Sequence, residues 1–243
     1  MFGGVQSDAV VNNGQMQGDV DLGAGDDTYR GVGRVDGTVL GNAGDDTLTG
    51  GIYDDLLKGG ADNDMIDGGR GDDVMIGEAG DDTFHVDSTR DLVIEAVGGG
   101  NDTVYTTVSL ALRAGQEIEN LSVDPGADYA NLALNLAGNE FANALTGNAA
   151  NNVLDGKGGA DTMTGGNGDD TYYVDDAGDV VVEAANQGTD TVHTTVSHTL
   201  SADVEILRAL GSSDIALTGN GLANTIVGNI GANRIDGGAA PTR

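Results

Sequence analysis

A nine-residue period constrains this chain more than any other feature. From Gly41 the sequence divides without a gap into GNAGDDTLT, GGIYDDLLK, GGADNDMID, GGRGDDVMI and GEAGDDTFH. Position 1 is always Gly. Position 6 is always Asp (Asp46, Asp55, Asp64, Asp73, Asp82), and position 8 is always apolar (Leu48, Leu57, Ile66, Met75, Phe84). Consecutive matches at three fixed positions define a repeat array. The Gly-rich half calls for positive φ, which Gly reaches without steric cost. The last three residues suit a short strand whose side chains alternate. Position 8 then points inward, and the mostly polar set Thr47, Thr49, Lys58, Asp67, Thr83 and His85 points outward. Two units make one coil of strand, turn, strand, turn. Stacked coils form two parallel sheets around a thin core.

Charge explains what the turns are for. The formal net charge is -30, and the acids are 33 Asp against 7 Glu. Solvation alone does not prefer the shorter carboxylate, whereas tight turns and hard-cation coordination do. Alternation of units puts Asp46, Asp64 and Asp82 on one edge of the stack and Asp55 and Asp73 on the other. Carboxylates repeated at a coil spacing of about 4.8 Å repel strongly, and a hard divalent cation between neighbours removes the repulsion. Aspartate oxygens together with turn carbonyls supply six or more oxygen ligands, which suits Ca²⁺ better than Mg²⁺. Residues 41–85 offer two intervals on one edge and one on the other, so at least three ions are expected there.

A second block starts at Gly138 and reads GNEFANALT, GNAANNVLD, GKGGADTMT, GGNGDDTYY. Its position 6 is Asn143, Asn152, Asp161 and Asp170, and its inward row is Leu145, Leu154, Met163 and Tyr172. A third, shorter block from Gly219 carries Asn224 and Asn233 at position 6 and is read first as coil continuation. Residues 80–109 match 168–197 at an offset of 88 without a gap. The expected organisation is wide coils or a cap over 1–40, a calcium-binding block over 41–87 and a β-rich spacer over 88–137. A second block over 138–175, a second spacer over 176–218 and an Asn-type block over 219–243 follow. Asp102 and Asp190 sit in half-matching turns and read first as turn caps.

The pattern GGxGxDxUx resembles the nonapeptide of the RTX (repeats-in-toxin) haemolysin-type calcium-binding family. The resemblance implies an all-β, right-handed parallel β-roll or β-solenoid filled with calcium. It assigns the ligands to Asp46, Asp55, Asp64, Asp73, Asp82, Asp161 and Asp170, with the turn backbone of Gly44, Gly51, Gly60, Gly69, Gly71, Gly80, Gly166 and Gly168. Four residues depart from the pattern: Asn42 and Glu78 at position 2, Tyr53 and Asp62 at position 4. Tyr53 demands a strained or altered turn. The resemblance also implies a secreted, extracellular protein exported by a type I route, although no such export signal is visible in this chain.

Other function classes find little support in the residues. Cys is absent, which excludes thiolate chemistry and disulfides. Strong negative charge disfavours nucleic acid, and no apolar run is long enough for a membrane span. The start, Met1 to Gly4, lacks the features of an ordinary signal peptide. His193 and His198 are five apart in a strand-like segment and do not share a face. Acid pairs such as Asp81-Asp82 follow from the repeat and need no acid–base catalysis. The expectation is a non-enzymatic calcium-binding module. The alternative is a polysaccharide-associated or adhesin module, the accessory repeats of an epimerase, lyase or surface adhesin. Against it, Lys58, Tyr105, Lys157 and Arg208 make no evident row. Thr106-Thr107 and Thr194-Thr195 are weak candidates for an outer Thr face. The third block breaks off inside a repeat, which leaves open a fragment or self-association through the solenoid ends.

Overall fold

A computed structural model describes residues 2–126 and 128–238. Every helix or strand among them is a strand, and the strands pair in parallel. The chain forms two compact units, Met1–Val108 with Gly115–Asn120 and Ser109–Ala114 with Leu121–Arg243. Each unit is a parallel β-solenoid in which a strand pairs with the strand one coil later.

In the first unit, one sheet runs through Phe2–Gly4, Val20–Ala24, Val39–Ala43, Leu56–Ala61, Val74–Ala79 and Leu92–Ile94. The other contains Ala9–Asn12, Thr28–Gly31, Thr47–Thr49, Met65–Asp67, Thr83–Val86 and Thr103–Thr106. The register places like on like. Leu48 lies beside Tyr29 and Ile66, and Phe84 beside Ile66 and Val104. In the opposite sheet Leu57 lies beside Val39 and Met75, and Met75 beside Val93. All five position-8 side chains of the block are fully buried, each contributing about 1.5–3 kcal/mol. Their neighbours at positions 7 and 9 are half-exposed or exposed, the alternation that a half-buried strand requires. The coil lengths are unequal. Val20 pairs with Val39, Leu48 with Ile66 and Phe84 with Val104, steps of 19, 18 and 20 residues.

In the second unit, the longest sheet runs from Leu110–Ala111 through Asn135–Ala137, Val153–Asp155, Thr171–Val174, Thr191–Thr194 and Ile206–Ala209 to Thr225–Val227. Ala144–Thr146, Thr162–Thr164 and Val180–Val182 form the facing row. His198–Thr199, Ala216–Thr218 and Arg234–Asp236 make a third sheet. Leu145, Leu154, Met163 and Tyr172 are fully buried, as their position predicts. The end of the third block, 239–243, lies outside the described residues.

One expectation about the outer surface changes. Thr106 and Thr194 are buried, because they stand two residues after inward Val104 and Val192. Each hydroxyl bonds the backbone two residues on, at Val108 and Val196, and so cannot belong to an outer Thr face. Cross-strand pairing also assembles rows that the linear sequence hides. Tyr173, His193 and Arg208 lie side by side. The rings of Tyr173 and His193 stack at 5.3 Å, and those of His85 and Tyr105 at 5.5 Å.

Candidate metal centre

The position-6 acids point into the solenoid. Asp46, Asp55, Asp64, Asp73, Asp82, Asp161 and Asp170 are all buried. Each edge is held by a ladder in which the backbone N–H of one acid donates to Oδ1 of the acid one coil later. Asp46 donates to Asp64 at 2.9 Å and Asp64 to Asp82 at 2.8 Å; on the other edge Asp55 donates to Asp73 at 2.8 Å. The two expected edges therefore exist as separate hydrogen-bonded columns.

The columns run beyond the nonapeptides. Asp27 donates to Asp46, Asp82 to Asp102, and Asp102 to Oε2 of Glu119. On the other edge Asp73 donates to Asp91. In the second unit Asn143, Asp161 and Asp179 form one column, and Asn152, Asp170, Asp190 and Glu205 another. Asp102 and Asp190 are thus full column members, not separate turn caps. Asp91 and Asp179 carry a readable signal that the nine-residue frame passes over. Each lies 18 residues after a column acid and precedes an inward Val by two, Val93 and Val181.

The second carboxylate oxygen divides the columns into two kinds. Oδ2 of Asp27, Asp46, Asp64, Asp73, Asp82, Asp102, Asp161 and Asp170 is buried and has no hydrogen-bond partner. The other turns close on themselves. Oδ2 of Asp55 accepts the N–H of Gly51 at 2.9 Å. Asp91 accepts from Asp87 and Ser88, and Asp179 from Asp175 and Asp176. Where Asn stands at position 6, its Oδ1 takes the same N–H four residues back: Asn139 to Asn143, Asn148 to Asn152, Asn220 to Asn224, Asn229 to Asn233.

Backbone conformation separates the same two groups. Seven of the eight acids with a free oxygen follow left-handed residues at both positions 2 and 4 of their turn. Gly44, Gly60, Gly69, Gly71, Gly80, Gly166 and Gly168 are all of this kind, with Asn42, Asp62 and Glu78 filling the remaining places in those turns; Gly23 and Gly25 precede Asp27, and Lys157 and Gly159 precede Asp161. Asp102 follows one such residue, Gly98. Gly51 and Tyr53 have no positive φ. The turn before Asp55 is therefore the altered one that Tyr53 predicts, and in it the Gly51 N–H takes the oxygen that other turns leave free.

Position 1 has a different reason for Gly than positive φ. Gly41, Gly59, Gly68, Gly77, Gly156 and Gly165 lie outside the left-handed region. A Cβ at these sites would stand 2.1 to 2.5 Å from Oδ2 of the acid five residues on. Gly is there to make room for the carboxylate.

Burial without a counter-charge shows in the acidities. Desolvation raises Asp64 to about 8, Asp73 and Asp161 to about 7, and Asp46, Asp82, Asp102 and Asp170 to about 6. Neighbouring acids add to the rise in each case, and the column N–H partly opposes it. Ionised side chains left like this cost several kcal/mol each unless a cation joins them. Hard, anionic, unpartnered oxygens in a dry interior fit a divalent cation of the calcium type. His193 and His198 are lowered by burial, and no His belongs to the acid triplets found among the described residues.

A family model of the RTX calcium-binding nonapeptide repeat matches four stretches, residues 40–75, 66–93, 137–181 and 218–240. These cover half of the chain, which belongs to the RTX calcium-binding nonapeptide repeat family. No curated protein matches it. The fold is the parallel β-solenoid of that family, and no helix among the described residues is long and apolar enough to cross a membrane.

Proposed function

We propose that the chain is a non-catalytic calcium-binding module that acts outside the cell and orders when it binds the metal. The observation that carries this reading is the set of buried, unpartnered Oδ2 atoms behind left-handed turns. Asp46, Asp64, Asp73, Asp82, Asp161 and Asp170 hold the ions, and the turn backbone of Gly44, Gly60, Gly69, Gly71, Gly80, Gly166 and Gly168 lies beside them. Asp55 and Gly51 contribute less, since each already satisfies the other. The columns account for the buried position-6 acids as structural groups, which leaves no need to invoke acid–base chemistry for them.

Magnitudes make this a switch. Extracellular-class sites have Kd of about 10⁻⁴–10⁻³ M, so they stay empty in the cytosol. At roughly twentyfold above Kd each site adds about 1.8 kcal/mol. Several such sites decide the fate of a thin core whose total stability is of order 5–15 kcal/mol. A calcium titration of the EDTA-treated chain, followed by far-UV circular dichroism with magnesium as control, tests the reading. A cooperative gain of β-structure with calcium and not magnesium is expected. An unchanged spectrum would count against calcium-driven folding.

A further inference from the structure

Two buried clusters contain an acid that the nonapeptide frame does not provide. Ile76 pairs with Ile94, so Glu95 stands over Gly77 where the repeat carries Gly. Glu183 holds the same place over Gly165, at the offset of 88 that relates the two segments. In both places the coil is two residues longer than in the block. Asp82 donates to Asp102 and Asp170 to Asp190 across 20 residues, where Asp46 to Asp64, Asp64 to Asp82 and Asn152 to Asp170 in the same columns step by 18. The longer coil leaves room at position 1, and a Glu side chain fills it.

The carboxylates converge. Ligand oxygens of Asp82, Glu95 and Asp102 lie within 4.8 Å of one another, as do those of Asp170, Glu183 and Asp190. Asp82 is 1%, Glu95 4% and Asp102 0% exposed. Oδ2 of Asp82, Oδ2 of Asp102, Oδ2 of Asp170 and Oε2 of Glu183 are buried without a partner. A Cβ on Gly77 would meet Glu95 Oε1 at 1.9 Å and Asp82 Oδ2 at 2.2 Å, so both acids aim at one cradle. The bonds that Glu95 does make are long backbone contacts, from Glu78 at 3.2 Å and from its own neighbour Ala96 at 3.3 Å. Tyr172 gives its hydroxyl to Glu183, whereas Phe84 stands at the equivalent place in the first unit. The hydroxyl is therefore an addition to one cluster and not a common element.

We propose that Asp82, Glu95 and Asp102 form one calcium site and Asp170, Glu183 and Asp190 another, each built from three side-chain carboxylates, with Glu95 and Glu183 supplying a donor that the Gly-rich turns lack. Three hard anionic donors in a closed interior match calcium, which accepts irregular all-oxygen shells. Magnesium keeps its waters and demands a near-ideal octahedron. The sites rest on the calcium reading of the turns insofar as they share Asp82 and Asp170 with the columns.

The test counts bound calcium per full-length chain at saturation by equilibrium dialysis with elemental analysis, using wild type, Glu95→Gln, Glu183→Gln and the double variant. Circular dichroism in calcium reports folding. Each single variant is expected to lose one ion and the double variant two, with the β-spectrum retained. An unchanged count in a folded variant overturns these sites and leaves the turn sites standing. A wild-type chain that binds no calcium overturns both readings. Should Gln prevent folding, Glu95→Asp and Glu183→Asp keep the charge and shorten the reach by one methylene. One ion per Asp variant is then expected to bind at least tenfold more weakly, and affinities equal to wild type overturn the proposal.

Discussion

The backbone N–H of Asp46 donates to Oδ1 of Asp64 at 2.9 Å, while Oδ2 of Asp64 is buried with no partner. One carboxylate thus joins two coils with one oxygen and presents a charge with the other. Substitution separates the roles. Asp64→Asn keeps the acceptor oxygen and removes the charge. It is expected to weaken calcium binding and to leave the chain more folded than wild type in EDTA at neutral pH. Asp64→Ala loses both, and the orphaned Asp46 N–H adds a penalty of about 1–3 kcal/mol. Calcium titrations and urea melts of the two variants should differ accordingly, and equal behaviour would sink the division of roles.

Metal-free stability should fall as pH rises. Asp64 is raised to about 8, Asp73 to about 7 and Asp46 to about 6 from an ordinary value of 3.8. The folded chain therefore holds protons that the unfolded chain has lost. A raised acid favours folding at low pH, and that advantage disappears as pH climbs through the folded value. In EDTA, β-structure is expected near about pH 4 and should be lost progressively toward a pH of about 8. Calcium should restore it at the upper end. A metal-free spectrum that gains β-structure with rising pH contradicts the argument.

Position-1 glycine should resist the smallest side chain. A Cβ at Gly59 would lie 2.1 Å from Oδ2 of Asp64, whereas one at Gly14 would meet nothing within 4 Å. Gly59→Ala is expected to cost roughly 1–3 kcal/mol, the usual range for overpacking, and to lower calcium affinity. Gly14→Ala should behave as wild type. Thermal melts in calcium compare them directly.

Tyr53→Gly should convert a closed turn into an open one. Gly51 donates to Oδ2 of Asp55 at 2.9 Å in a turn that lacks the paired left-handed residues. Glycine at position 53 permits the positive φ found at Gly71 in the next unit on that edge. The expected outcome is higher calcium affinity or one additional ion. A titration that superimposes on wild type would show that the turn is closed for another reason.

The periodic part of this structure was legible because each residue packs against its own copy one coil away. Leu48 meets Ile66, and Ile66 meets Phe84, so a pattern that repeats in sequence must repeat in space. The same argument reached the two acid edges and the altered turn at Tyr53. It stopped where coils change length. Asp102 and Asp190 belong to the columns only because two extra residues are absorbed in the turn before them. Asp91 and Asp179 join without any glycine at the front of their turn.

From the sequence alone came the nine-residue period, the inward apolar rows, the acids at position 6 and the family they resemble, since all four depend on local alternation. Tertiary structure alone decided which acids keep an unpartnered oxygen. That outcome turns on the φ of two turn residues and on whether a backbone N–H reaches the carboxylate. It also decided that position 1 is glycine for space. The Cβ it lacks would collide with a side chain five residues on. Finally, it brought Glu95 to Asp82 and Asp102, 13 residues back and 7 residues on in the chain. Only a lengthened coil closing over Gly77 makes those three neighbours.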